Sequence, residues 1–246
     1  GEYAIYWPCD LHMVGKDILR FHAVYWPAFL LAAGLETPKR IYAHGWWTNE
    51  GEKISKSLGN VIDPVDLVDR YGLDQVRYFL LREVPFGNDG DFSHKAIVNR
   101  MNGELANDLG NLTQRVLSMV AQNCDGLVPH YGEFTTDDLA LLKEAEEIIE
   151  KLRYTFDRQL FHEALETVWA VIRAANGYVD FQAPWKLKKS DPSRMATVLY
   201  VLIETIRRIA LVLQPFMPDK MSQMLEQLSV NIDHRTFAHL GKDFYL

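Results

Sequence analysis

Lys53-Ile54-Ser55-Lys56-Ser57 sets two lysines three residues apart among small hydroxyls, with Gly51 before it and Gly59 after it. Such a loop can lay ammonium groups, hydroxyls and backbone N–H groups onto a polyphosphate. A lysine engaged only as a departing pyrophosphate gains charge is worth about 3–4 kcal/mol, or about 10²–10³ in rate. A solvated turn can have the same composition, but this spelling arises by chance in only about one chain of this length in a few hundred. Lys53 and Lys56 are therefore the candidate catalytic residues. Gly15 and Asp17 stand at the carboxyl end of a short apolar run, where open α/β sheets bind ligands. Glycine permits close approach and a carboxylate accepts ribose hydroxyls; a Gly turn with an Asp helix cap is the plainer account. Ile18, His22 and Trp26 recur on one helix face, as core residues also would. His44, Gly45 and Trp47 lie on a run of strand composition that feeds the Lys/Ser loop, where a histidine with a structural hydrogen bond is equally at home. Asn111 and Arg115 share a helix face, and Pro184-Trp185 follows the end of another helix. An indole stacks on an unpaired base for about 1–3 kcal/mol, while Asn and Arg bond the base edge. Taken singly, Asn111 also suits a helix interior and Trp185 a hydrophobic plug.

The elements that must position these residues are legible in outline. Residues 11–14 have strand character, and a helix is predicted from Asp17 as cap through Tyr25, with Pro27 kinking or interrupting it. A second strand is predicted over 40–47. Strand, helix and strand of this length make a βαβ unit of a parallel sheet, the second half of a Rossmann-like sheet. Residues 48–60 read as loop, Asp63-Pro64 as a helix start, Gly72 as its end, Asp74 as the start of a helix to about Glu83, 85–91 as loop and Ser93 as a cap. Helices are predicted over 105–123, 136–156, 159–182, 193–213 and 219–228, so the fold class is α/β followed by an all-α helical bundle. The domain boundary is placed between about 93 and 105.

The chain has 246 residues, a net charge of -7, 48% hydrophobic and 24% charged residues, as a folded protein does. This excludes a disordered tail, a collagen-like fibre and a highly basic coat for nucleic acid. Cys9 and Cys124, the only cysteines, make neither a disulfide framework nor a Cys-rich zinc site, and fit a reducing cytosol. The longest apolar run, residues 23–35, falls short of the roughly 20 needed to span a bilayer. No His, Cys and carboxylate group has metal-ligand spacing. The sequence opens at Gly1-Glu2 without an initiator Met or a leader-like segment, which suggests something removed upstream. The negative total does not exclude RNA, because contacts are local. Between Lys186 and Arg208 six basic residues stand against two acidic ones. Lys186, Lys188, Lys189, Arg207 and Arg208 either meet phosphates or form a solvated helix face, and acidic residues 137–150 are expected to face away from RNA.

The 53–57 loop resembles the second signature motif of class I aminoacyl-tRNA synthetases, with Ile54 where methionine is commonest. Gly15-Lys16-Asp17-Ile18, His22, His44-Gly45-Trp46 and Asn60-Val61-Ile62-Asp63-Pro64 are similar to methionyl-tRNA synthetases in particular. The similarity runs through essentially the whole chain and covers the second half of that enzyme. The resemblance implies ATP binding by Gly15, Asp17, His44, Gly45, Trp47, Ser55, Lys56 and Ser57, with the first two at the ribose and His44 and the Trp47 backbone near adenine. It implies a methionine pocket lined by Ile18 and His22, and anticodon reading by Asn111, Arg115, Pro184 and Trp185. It further implies ATP with Mg²⁺ as substrate, no metal site in this chain, methionine and tRNA for methionine as partners, no membrane, a monomer and a cytoplasmic location. Residues 61–104, with Tyr71-Gly72-Leu73-Asp74 and Arg77, resemble the stem-contact segment of these enzymes. The domains expected are then 1–60 catalytic, 61–104 connective and 105–246 anticodon-binding. The family's first signature, His-Ile-Gly-His, has no counterpart: His12-Met-Val-Gly, His44-Gly-Trp and His239-Leu-Gly-Lys come near, and none fits by spelling and position. Its Cys-ligated zinc knuckle is also absent. The expectation is a fragment of such an enzyme, inactive alone, whose natural partner is the missing N-terminal half. A non-catalytic tRNA-binding module with a vestigial loop, a class I synthetase for leucine, isoleucine, valine or cysteine, and a helical scaffold are the alternatives.

Overall fold

The computed structural model describes residues 3–54, 57 and 59–240. They form two compact units, Gly1–Asp63 with Glu83–Ser93, and Pro64–Arg82 with His94–Leu246. The chain crosses between them at 63/64, 82/83 and 93/94, so the segment expected to be one connector is divided between both.

The first unit opens with helix α1 (Tyr3–Tyr6) and strand β1 (His12–Gly15). A 3-10 turn (Lys16–Ile18) and a π-helical turn (Phe21–Tyr25) then lead into α2 (Trp26–Ala32). Asp17 is therefore inside a 3-10 turn and not the cap of a long helix. Pro27 lies inside a helical segment that runs on unbroken, with Tyr25 and Trp26 both in the right-handed helical region, and the π-helical turn Phe21–Tyr25 just before it is where the regular α pattern is interrupted. The predicted strand at 40–47 is two strands, β2 (Ile41–His44) and β3 (Trp47–Asn49), in different sheets. The reason lies at Gly45, where a Cβ would come within 2.1 Å of the Asn88 carbonyl oxygen. Only glycine lets the two backbones approach so closely, and the chain changes sheet there. β1 and β2 run parallel, with His12 opposite Ile41 and Gly15 opposite His44.

The predicted loop 48–60 contains a hairpin. β3 pairs antiparallel with β4 (Glu52–Lys53) through Glu50 and Gly51, at φ 51° and 84°, the two left-handed positions that a tight two-residue turn needs. The predicted loop 85–91 ends in a third strand of the same sheet, β5 (Gly90–Phe92), parallel to β3.

The second unit holds α3 (Pro64–Tyr71), α4 (Leu73–Arg82), α5 (His94–Arg100), a π-helical stretch (Met101–Gly110) continuing into α6 (Asn111–Asn123), α7 (Thr136–Asp157), α8 (Phe161–Gln182), α9 (Pro184–Ser190), α10 (Pro192–Leu213) and α11 (Pro218–Gln227). α10 is the central element: residues 197–213 are all buried, apolar around almost the whole helix. The expectation for Arg207 and Arg208 is therefore corrected. Neither meets solvent or phosphate; they are 2% and 0% exposed. Glu204, also buried, lies three and four residues earlier on the same helix, at 2.6 Å from Arg207 and 2.8 Å from Arg208. Arg208 also donates to the Leu142 carbonyl and Arg207 to that of His239. Asp138 departs from the expected outward acidic face in the same way. It is fully buried, caps α7 reciprocally with Thr135, and accepts from Arg194 at 2.5 and 2.7 Å and from the Tyr178 hydroxyl at 2.5 Å. A second polar junction places Glu104 between Tyr78, Arg82 and Arg100, and Glu166 between Arg82 and Arg173. It ties α4 and α5 to α8, so residues 64–82 and 94–104 pack with the bundle. No described helix is long and apolar enough to cross a membrane.

Candidate functional site

The paired carboxyl ends of β1 and β2 bring Gly15, Asp17 and His44 together. A Cβ on Gly15 would lie 2.5 Å from Asp17 Oδ1 and 3.9 Å from His44 Cε1. With glycine at 15 the Asp17 carboxylate can lie against the strand end; a side chain there would have to push it aside. His44 Nδ1 lies 2.8 Å from the Gly45 carbonyl, so one ring nitrogen is engaged with backbone. Gly45 and the Trp47 ring serve packing: Gly45 meets Asn88, and the ring lies 3.1 Å from where a Gly90 Cβ would be.

The residue at the centre of this edge, Trp46, is not among those that the sequence marks for a role. It is 43% exposed. Its backbone N–H donates to Asp89 Oδ1 at 2.8 Å, and its Nε1–H points to Asp17 Oδ1 at 3.5 Å. Lys16 Nζ lies 4.3 Å from the ring centroid and Lys53 Nζ 5.3 Å. Lys16 is itself paired with both Asp89 oxygens, at 2.5 and 2.6 Å. That bond, followed by the Trp46 amide, holds the Asp89 carboxyl below its usual range. Lys16 and Trp46 stand within motifs that carry the resemblance, but their meeting depends on Asp89, a residue over 70 positions from Lys16 that no local pattern marks.

Lys53 sits on β4 opposite Thr48, exposed. Its carbonyl accepts from Asn60 Nδ2 at 3.1 Å, and the Asn60 carbonyl accepts from Asn49 Nδ2 at 3.0 Å. Asn60 is thereby tied to both strands of the β3–β4 hairpin. Asp91 Oδ1 accepts from the Thr48 hydroxyl at 2.5 Å and the Gly51 N–H at 2.6 Å, and these bonds depress its pKa. Ser57 is exposed. Ser55 and Lys56 lie outside the described residues.

Ile18 and His22 are also neighbours. His22 Nδ1 is 2.9 Å from the Ile18 carbonyl, and Ile18 is 39% exposed. His22 meets Trp26 edge-on at 5.7 Å, His12 stacks on Trp26 at 4.7 Å, and Trp7 lies 5.7 Å from Trp26. Burial, then the nearby His22, pushes the His12 pKa down. This polarizable aromatic wall suits a thioether.

In the helical unit, α6 presents Asn111 and Arg115 one turn apart, Asn111 exposed. Arg115 lies 5.6 Å from the Trp185 ring centroid and donates to Asp180 at 2.7 Å. Trp185 is 47% exposed, above a buried Pro184. Ala183, at φ 44° and ψ 57°, both ends α8 and starts α9, and so aims the indole beside Arg115. Lys186, Lys188 and Lys189 are exposed along α9. Among the described residues no group of three His, Cys, Asp or Glu could hold a metal ion.

A lysine-bearing hairpin beside parallel strand ends, in a chain that also carries an RNA-suited helical unit, defines the fold of a class I aminoacyl-tRNA synthetase, and comparison with known proteins gives the same class. Residues 2–117 match the family described as tRNA synthetases class I (M), and residues 128–240 match the anticodon binding domain of methionyl tRNA ligase. The chain belongs to the methionyl-tRNA synthetase family. It is 57% identical over 233 residues to the methionine–tRNA ligase of Brucella suis biovar 1, covering 95% of this chain and 45% of that protein. It is 54% identical over 242 residues to that of Rhizobium meliloti, covering 98% and 47%. The structure of Mycobacterium tuberculosis methionyl-tRNA synthetase in complex with methionyl-adenylate superposes with a TM-score of 0.94 at 55% identity, over 96% of this chain and 47% of that one. The chain thus spans about half the length of the curated relatives it matches.

Proposed function

We propose that this chain carries part of the nucleotide site and the anticodon-reading domain of a methionine–tRNA ligase. In this reading a methionine carboxylate oxygen attacks the α-phosphorus of ATP. The bond to the bridging oxygen breaks, and its electron pair leaves with pyrophosphate. Lys53 and Lys56 neutralise the leaving group, Gly15 and Asp17 hold the ribose, His44 and Trp47 border adenine, and Ile18 and His22 border the methionine side chain. No base is needed, because the carboxylate attacks already ionised. Mg²⁺ enters with ATP, for which its oxygen-only chemistry is suited. Methionine then passes to tRNA, whose anticodon stacks on Trp185 and is bonded by Asn111 and Arg115. The 1–60, 61–104 and 105–246 division expresses the same roles, in a monomeric cytoplasmic enzyme.

The observation that carries this reading is Gly15 opposite His44 at adjoining parallel strand ends, with the Asp17 carboxylate lying against Gly15. The test is methionine-dependent ATP–pyrophosphate exchange. The full-length protein should exchange, Lys56→Ala should slow it about 10²-fold or more with little change in methionine KM, and this chain alone should show none. Robust exchange by the chain alone would falsify the division of labour. For the RNA side, Trp185→Ala should weaken binding of tRNA bearing a methionine anticodon by about 5- to 150-fold, without changing thermal stability.

A further inference from the structure

We infer that Trp46 is a positioning residue for Lys53, its indole serving as the platform on which the loop's first ammonium group is held beside the nucleotide site. The inference rests on the reading of Lys53 as a polyphosphate-binding lysine. Both Lys16 and Lys53 lie within the reach of about 6 Å over which a cation is drawn to an aromatic face. The two are held differently. Lys16 is pinned by Asp89, which also binds the Trp46 backbone, so Asp89, Lys16 and Trp46 form one fixed block. Nε1–H directed at Asp17 sets the turn of the ring. Among the described residues no carboxylate lies in ion-pair range of Lys53. A carboxylate would neutralise the charge that the departing pyrophosphate needs. An indole face keeps the flexible four-carbon stem on the site's side while leaving the charge intact. Lys53 can then pass from ring to phosphate by a small rotation, with its backbone anchored by Asn60.

The test is a double-mutant cycle on exchange kinetics in the full-length protein. Trp46→Ala should lower kcat about tenfold, with methionine KM unchanged, and Trp46→Phe about two- to threefold, following the strength of the aromatic face. Trp46→Leu keeps apolar bulk without a π face and should behave as the alanine variant. In a Lys53→Ala background, Trp46→Ala should slow the enzyme no further. Effects that multiply, or rescue by leucine, overturn the role of Trp46 while leaving that of Lys53 standing. A Lys53→Ala enzyme at full rate overturns both.

Discussion

The two units are stabilised by different means. Among the described residues the α/β unit buries only Val14, Leu30 and Phe92 of its apolar side chains, and leaves Phe21, Val24, Phe29 and Leu31 between 56% and 71% exposed. The helical unit encloses one apolar cluster from Tyr78 to Leu240, with Trp169, Leu199 and Leu202 at 0% exposure. Its buried Asp138, Glu204, Arg207 and Arg208 are ion-paired, while the buried Asp74 accepts from the Lys220 N–H. The edge around Trp46 and Lys53 is thus held by local polar fixings, Asp89, Asp91 and Asn60, whereas the helical unit rests on packing. Hydrogen bonds at an exposed edge exchange with water and open locally, whereas elements enclosed in a core open only with that core.

The largest test of this contrast is Glu204→Gln, which leaves Arg207 and Arg208 buried without their carboxylate. It should cost the helical unit about 3–5 kcal/mol, read as a lowered urea midpoint. A midpoint within error of the parent would mean the triad is not supporting the core. Next is acid. Burial raises the Asp138 pKa, but bonds from Arg194 and Tyr178 more than offset this and hold it at about 2 against an ordinary 3.8. The stabilisation is complete above about pH 4 and is lost as pH falls through 2, an amount of about 2 kcal/mol. The stability gap between parent and Asp138→Asn should accordingly be widest at neutral pH and close by pH 2. Hydrogen exchange should then separate the units: α10 amides open only with global unfolding, those of β1 and β2 well below it. Equal protection in β1 and α10 erases the distinction. The smallest effect belongs to Lys39→Ala. Its pair with Asp10, at 63% and 87% side-chain exposure, should leave the midpoint unchanged.

The bundle helices were legible because long apolar periodicity dominates their neighbours; predicted 136–156 and 193–213 are Thr136–Asp157 and Pro192–Leu213 in the structure. β5 was not, because Gly90-Asp91-Phe92 has no pattern until β3 lies beside it. Arg207 and Arg208 looked solvated because a charge pair in sequence carries no record of depth, although Glu204 three and four residues earlier was the available sign. In the candidate site, Gly15 and Asp17 could be placed from a strand end, while Arg115 and Trp185 are joined only through the family resemblance, each being a weak sign by itself. Trp46 could not, since its partners Lys16, Lys53 and Asp89 come from three separate stretches of chain.

Ala183 occupies a left-handed joint where glycine would be the easier residue. An alanine there costs about 1 kcal/mol that glycine would not, yet it is the hinge pin between α8 and α9. Exchanging it for glycine would relieve the strain and widen the angles open between α8 and α9, so the indole would be aimed less narrowly at Arg115. The aim of the indole and the ease of the joint pull on this single methyl group in opposite directions.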